Sequence, residues 1–369
     1  MRNFVSSNEV APLTPALITC TLKSGFSNSI LFCKNKYAFG ILEPIQKELK
    51  NLNYDFIWFV DKEILSDFPY KSDPYTTSIK ELKNYNSDAI FVCGNAVPHY
   101  LKGVKTQVFH GFAGEKKGHF RIRSYFDLYL TQGPYFTKEF LTKREINKDF
   151  EVIETGWSRI DNLFKLSSDL DKKKQDLLIK HKKDKVILYA PTFSPKLTSA
   201  PHLKKEIISI SYSNYLILIK FHSLMDKKIK NEYKQIAKLN SNILIYDDND
   251  ITDLLKISDL LVSDTSSVIY EFSLLNKPVI TFNNIAKIKY WQDSKKYTDL
   301  HALVENNLNN DSFLEKRDEL IKKYHPYTDG KSSHRMIKAV RKYISNSGVP
   351  RVRKLSFLRR LKVYKIFGF

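Results

Sequence analysis

Along the chain, short runs of apolar, β-branched and aromatic residues alternate with longer stretches in which apolar positions recur every three or four residues. The short runs predict strands at 29–33, 54–60, 89–93, 106–109, 126–130 and 151–154, then at 186–189, 215–220, 242–246, 260–262 and 278–282. The longer stretches predict helices at 37–53, with a kink at Pro44, and at 78–85, 135–144, 227–239, 251–257, 268–275, 313–324 and 332–344. Strands spaced by helices predict parallel sheets covered on both faces. A charged break at 167–174 divides the series in two. The expected architecture is therefore α/β, with two Rossmann-like domains, 1–165 and 166–345, facing a central cleft. Ligands in such sheets sit beyond the carboxyl ends of the strands. The polar residues at those ends are His110, Thr192, His222 and the run from Ser263 to Ser267.

Composition narrows this picture. A chain of 369 residues with 42% hydrophobic residues can bury two cores, and no stretch is biased enough to predict long disorder. Lys and Arg number 60 against 40 Asp and Glu, a net charge of +20 that calls for an anionic partner. The three cysteines, Cys20, Cys33 and Cys93, lack metal-ligand spacing and are odd in number, so reduced thiols are expected. Pro12 and Pro15 interrupt the mildly apolar stretch 10–20, which predicts no signal peptide, and no apolar window is long enough to predict a membrane span.

Five segments carry candidate chemistry. The run Ser263-Asp264-Thr265-Ser266-Ser267 lies between a strand and a helix, where backbone N–H groups and hydroxyls hold phosphate, or where the same side chains simply cap the helix. The segment from His110-Gly111 to Gly118 follows a strand. His110 there suits a general base, and Lys116, Lys117, Arg121 and Arg123 supply a cationic field; a basic loop with an incidental histidine is the plainer reading. Lys220-Phe221-His222 and Pro191-Thr192-Phe193 end two further strands and could touch a ligand or merely satisfy local structure. Asp329-Gly330 with Ser333 and Arg335 reads as a turn and helix start. Walker, G-x-G-x-x-G, zincin, nucleophile-elbow and kinase signatures are all missing, and no cofactor or metal is implied.

Taken in order, these segments resemble the CDP-glycerol glycerophosphotransferase family. The match comprises His110-Gly111 with a following lysine, Gly156-x-x-Arg159-x-Asp161, Pro191-Thr192-Phe193 and Lys220-x-His222. It continues through Ser263-Asp264-x-Ser266-Ser267 with Lys277-Pro278, and ends at Asp329-Gly330-x-x-Ser333-x-Arg335. It spans roughly residues 106–340, and the His-Gly loop departs from the family pattern, reading Phe112-Ala113-Gly114-Glu115 with its lysine displaced. The resemblance implies a GT-B-like fold and a CDP-glycerol or related CDP-alditol donor held mainly on the second domain. It implies His110 as base toward an acceptor hydroxyl, with attack on the β-phosphorus and release of CMP. Ser266, Ser267 and His222 would hold the pyrophosphate, with Gly111, Lys116, Lys117, Arg159, Thr192, Lys220, Ser263, Asp264, Asp329 and Arg335 contacting substrate. The implied acceptor is a surface polymer or its lipid-linked primer.

Residues 346–369 read as a linker followed by a basic amphipathic tail, with seven Lys or Arg and no acid from 351 onward. This predicts peripheral contact with an anionic inner leaflet, at the cytoplasmic face of the cell membrane; a helix packed on the protein is the alternative. Nucleic acid is not an expected partner, because no recognised module accompanies the charge. A nucleotide-sugar glycosyltransferase and a non-catalytic basic membrane- or nucleic-acid-binding protein remain the rival functions.

Overall fold

The computed structural model describes residues 26–112, 119–247 and 250–368. The first sheet contains β1 (Asn28–Cys33), β2 (Asp55–Val60), β3 (Tyr75–Thr76), β4 (Ala89–Val92), β5 (Val104–Gln107), β6 (Leu128–Thr131) and β7 (Glu151–Glu154). Its order is β3-β2-β1-β4-β5-β6-β7, and all pairs are parallel. The second sheet contains β8 (Lys185–Tyr189), β9 (Tyr215–Lys220), β10 (Ile243–Tyr246), β11 (Leu260–Ser263), β12 (Val279–Phe282) and β13 (Gln292–Ser294). Its order is β10-β9-β8-β11-β12-β13, again all parallel. In each sheet the strand order reverses once, between β1 and β4 and between β8 and β11. These reversals open crevices at the carboxyl ends of the strands, where ligands enter such sheets.

Helices cover the sheets: α1 (Phe39–Asn51), α2 (Ile79–Asn84), α3 (Pro134–Ile146), α4 (Asp161–Phe164), α5 (Ser168–His181), α6 (Lys204–Ser211), α7 (Lys227–Leu239), α8 (Thr252–Ile257), α9 (Val268–Ser273), α10 (Leu300–Asn309), α11 (Leu314–Tyr324), α12 (Ser332–Ser347) and α13 (Phe357–Phe367). Alternate residues of β1 and β4 face opposite ways. Leu31 and Phe91 enter one core that continues through Leu188 and Leu261 of the second sheet, whereas Ile30, Phe32, Ile90 and Val92 enter a separate core on the other face.

Three expectations change. The charged break is the start of α5, capped by the Ser167 hydroxyl; only Leu178 of that helix is buried, so its apolar period is faint. Helix α12, which the boundary at 345 assigns to the second domain, packs on α1 of the first. Asp161 starts it there, accepting from Ser332 N, Ser333 N and Ser333 Oγ, each at 2.7 Å. The tail is not a free appendage. Arg353 is buried, paired with Asp127 at 2.5 Å, and also donates to Ser124 O and Asp149 O. Leu355 and Val363 enter the first sheet's outer core, and burial of such side chains contributes about 1.5–3 kcal/mol each. Tyr364 stacks on Tyr100, and Phe367 meets Phe32 edge-on.

Candidate functional site

The first lobe places His110 just past β5, after Phe109, which takes a left-handed φ of 60° and turns the chain at the strand end. The His110 side chain is exposed, with Nδ1 3.2 Å from the carbonyl oxygen of Cys93, at the end of β4. A carbonyl only accepts, so Nδ1 carries a proton here, and in the neutral ring the lone pair is then on Nε2. This is the tautomer a general base needs, and it sits at the first sheet's reversal point. Tyr37 leans against the imidazole with ring centroids 5.6 Å apart. Gln132 donates to Gly111 O at 2.9 Å, tying the residue after His110 to the end of β6. Lys116 and Lys117 lie outside the described residues.

The second lobe builds its own reversal point from two motif segments. Asp264 is fully buried, and its carboxylate accepts from Thr192 N at 2.8 Å, Ser199 N at 2.7 Å, Ser199 Oγ at 2.9 Å and Thr265 N at 2.6 Å. Ser263 is also buried and donates to Ala190 O at 2.7 Å. Both residues therefore join the ends of β8 and β11 and present nothing to a substrate, which corrects the contact role that the resemblance implies for them. Ser266 is half-buried and Ser267 exposed, and Ser267 makes no side-chain capping bond to α9. The Ser266 hydroxyl instead accepts from Val268 N, the first residue of α9, at 3.5 Å. The Thr192 side chain is half-buried.

His222 follows β9 and stacks on Phe193 at 4.4 Å. Its Nδ1 accepts from Leu224 N–H at 3.1 Å, so Nε2 bears the hydrogen. Burial, then Lys220 and Lys230, push its pKa below the ordinary value. His222 is therefore a neutral hydrogen-bond donor at neutral pH, not a cation. Lys220 is half-buried and donates to Phe221 O at 3.2 Å.

Arg159, Asp329 and Arg335 lie at the joint between lobes. Arg159 Nε meets Glu271 of α9 at 3.1 Å, with Asp250 at 3.9 Å. Arg335 donates to Thr155 O and to Asp329, both at 2.7 Å, and its guanidinium lies over the Tyr327 ring. That partner holds the Asp329 carboxyl below the usual range. Each of these side chains therefore has a protein partner at the joint. Glu271 carries no sequence signal: it sits in an apolar helix, and its partner is 112 residues away.

An aromatic chain closes the joint. Tyr324 of α11 stacks on Tyr135, at the start of α3 after β6, and on Tyr270 of α9, after β11. Helix α11 thus joins the helix that follows β6 to the helix that follows β11. Beside them His325 is buried, its Nε2 accepting from Trp157 N at 3.0 Å. Burial, then Arg335, depress its pKa to about 4 from 6.5. Between those values the unfolded chain binds the extra proton, so stability falls as pH drops from 6.5 to 4, by about 3 kcal/mol from this group. Urea titrations across that window should show the slope, and His325→Phe should flatten it.

Comparison with known proteins bears on this arrangement. The sequence profile of the family described as CDP-Glycerol:Poly(glycerophosphate) glycerophosphotransferase matches residues 41–342. A teichoic acid ribitol-phosphate polymerase of Staphylococcus aureus is 28% identical over 61% of this chain and 48% of its own. A teichoic acid poly(glycerol phosphate) polymerase of Bacillus spizizenii is 26% identical over 69% of this chain and 71% of its own. The chain spans about half the length of most of the curated relatives it matches. Among solved structures, the wall teichoic acid polymerase TagF aligns with a TM-score of 0.64 at 19% identity, covering 87% of this chain and 89% of that one. Staphylococcus aureus MnaA with UDP aligns at 0.63 and 15% identity, covering 87% and 97%. The two facing parallel sheets are a GT-B-like fold.

Proposed function

Because the chain belongs to the CDP-glycerol:poly(glycerophosphate) glycerophosphotransferase family, we propose that it moves glycerol phosphate, or a related alditol phosphate, from a CDP-linked donor to a hydroxyl of a surface polymer or its lipid-linked primer. The first lobe serves the acceptor and the second holds the nucleotide donor. Nε2 of His110 takes the acceptor hydroxyl proton. The oxygen then attacks the phosphorus bearing the alditol, a new P–O bond forms, and the P–O bond to CMP breaks. Ser266, Ser267, Thr192 and Nε2–H of His222 donate to the pyrophosphate oxygens as charge builds on them, and one such donor typically accounts for about 10²–10³ in rate.

The observation that carries this reading is the bond from His110 Nδ1 to Cys93 O, which orients the neutral imidazole at the first sheet's reversal point with Nε2 as its basic nitrogen. Incubating the full chain with CDP-glycerol, CDP-ribitol and UDP-sugars tests it. CMP release with a new phosphodiester is expected; a glycosidic product with release of UDP would replace this reading with the glycosyltransferase one.

Helix α13 supplies the membrane contact in this proposal. Arg359, Val363 and Phe367, four residues apart, face the lobe, which turns Leu358, Leu361 and Lys365 outward, with exposed Phe357 and Lys362 beside them. Arg353 is buried and Arg359 half-buried, so five of the seven basic residues stay exposed. At roughly 1 kcal/mol per basic residue near an anionic surface, these give reversible binding at the cytoplasmic leaflet. Sedimentation with phosphatidylglycerol vesicles should fall about tenfold for Leu358→Glu with Leu361→Glu. No helix among the described residues is long and apolar enough to cross a membrane.

A further inference from the structure

A second cationic feature adjoins His110. A narrow crevice of about 10 Å³ beside the imidazole is lined by Asn95, Gln107, His110, His119, Arg121 and Arg123 together with four aromatic rings, with no carboxylate among its lining residues. Arg121 and Arg123 stand two positions apart on a segment without regular structure. Arg123 Nη1 donates to Arg121 O at 3.3 Å, and burial, then the charge of Arg121, lowers its pKa. An anion between them would relieve that repulsion.

The segment is held from behind by the tail. Arg359 donates to Arg123 O at 2.6 Å, and Arg353 donates to Ser124 O at 2.7 Å. Ser124 itself takes a left-handed φ of 59°. Two clamped carbonyls in succession fix the backbone that carries Arg121 and Arg123 at the crevice mouth. The clamp is α13 and its approach, the same element that turns an apolar and basic face outward.

We propose that Arg121 and Arg123 form a subsite for a phosphate carried by the acceptor itself, one unit back from the hydroxyl that His110 activates; this rests on the transfer reading above. Guanidiniums suit phosphate because their forked donors match two of its oxygens at once. Such a subsite makes the enzyme select acceptors that already bear a phosphate over neutral alditols. It also aligns the acceptor along a line from the cleft toward the tail helix.

The test follows CMP release by the full chain from CDP-glycerol, with glycerol 3-phosphate or glycerol as acceptor probe. Calorimetric titration with glycerol 3-phosphate is run separately and needs no turnover. The phosphate-bearing probe should have a kcat/KM at least about tenfold higher than glycerol. Arg121→Gln and Arg123→Gln should each raise its KM about tenfold, weaken the calorimetric binding in step and shrink the preference, with Arg121→Lys recovering part of the loss. Arg121 is exposed, so its replacement decides the matter even where Arg123→Gln disturbs the loop. Equal use of both probes, equal loss with both, or unchanged calorimetric binding in Arg121→Gln would overturn the subsite. So would a lipid-headgroup site, in which Arg121→Gln weakens binding to phosphatidylglycerol vesicles but spares the KM for glycerol 3-phosphate. Failure of every CDP-alditol to release CMP would sink the transfer reading instead, and the titration would still judge the subsite.

Discussion

His110→Ala is expected to lower kcat for CMP release from CDP-glycerol by about 10²–10⁴-fold, the range a positioned general base contributes. The protein should remain folded, because the ring is exposed and fills no core space. Two comparisons separate proton removal from simple contact. His110→Asn can keep a donor toward the Cys93 carbonyl yet has no basic nitrogen, so it should be about as impaired as alanine. An acceptor with a more acidic hydroxyl needs less help to lose its proton, so it should narrow the gap between wild type and His110→Ala. Full activity in a folded His110→Ala protein, at any acceptor acidity, would remove the histidine from the chemistry.

Much of this site is legible in the sequence because strand ends are. A buried parallel strand is a short apolar run, and the first polar residues after it must stand at its carboxyl edge. That reasoning alone locates His110, Thr192, His222 and the Ser263 run. It does not say which of those polar groups face inward. Asp264 and Ser267 are three residues apart in one motif, yet one is fully buried and the other exposed. The difference lies in the partners brought by β8, more than 60 residues earlier. Motif order likewise marks Arg159 and Arg335, but not that Glu271 and Asp329 absorb their charges. Helix α5 and the polar edge strand β13 escape the hydrophobic pattern because little of either is buried. The tail is legible as a basic helix, whereas its docking depends on Asp127, an acid that no local pattern connects to Arg353.

The largest stability effect is expected at Asp264. Truncation to alanine leaves the N–H groups of Thr192 and Ser199 and the Ser199 hydroxyl without their acceptor, at a cost of about 3–5 kcal/mol. Burial nevertheless raises the carboxyl pKa above 3.8, even against these hydrogen bonds. The native state therefore takes up a proton at higher pH than the unfolded chain does, and above 3.8 this group's contribution weakens as pH rises. The sign is opposite to that of His325. Charge at Asp264 is thus a burden, and its acceptor geometry is the asset. Asp264→Asn removes the charge and keeps one accepting oxygen for Thr192 and Thr265, while its amide nitrogen opposes the donors of Ser199. It should fall between wild type and Asp264→Ala in urea midpoint. Both variants should raise the KM for CDP-glycerol, because the carboxylate sets the spacing between Thr192 and the Ser266 turn. A urea midpoint for Asp264→Ala equal to wild type, or one above that of Asp264→Asn, would show that this spacing is held by something other than the buried acid.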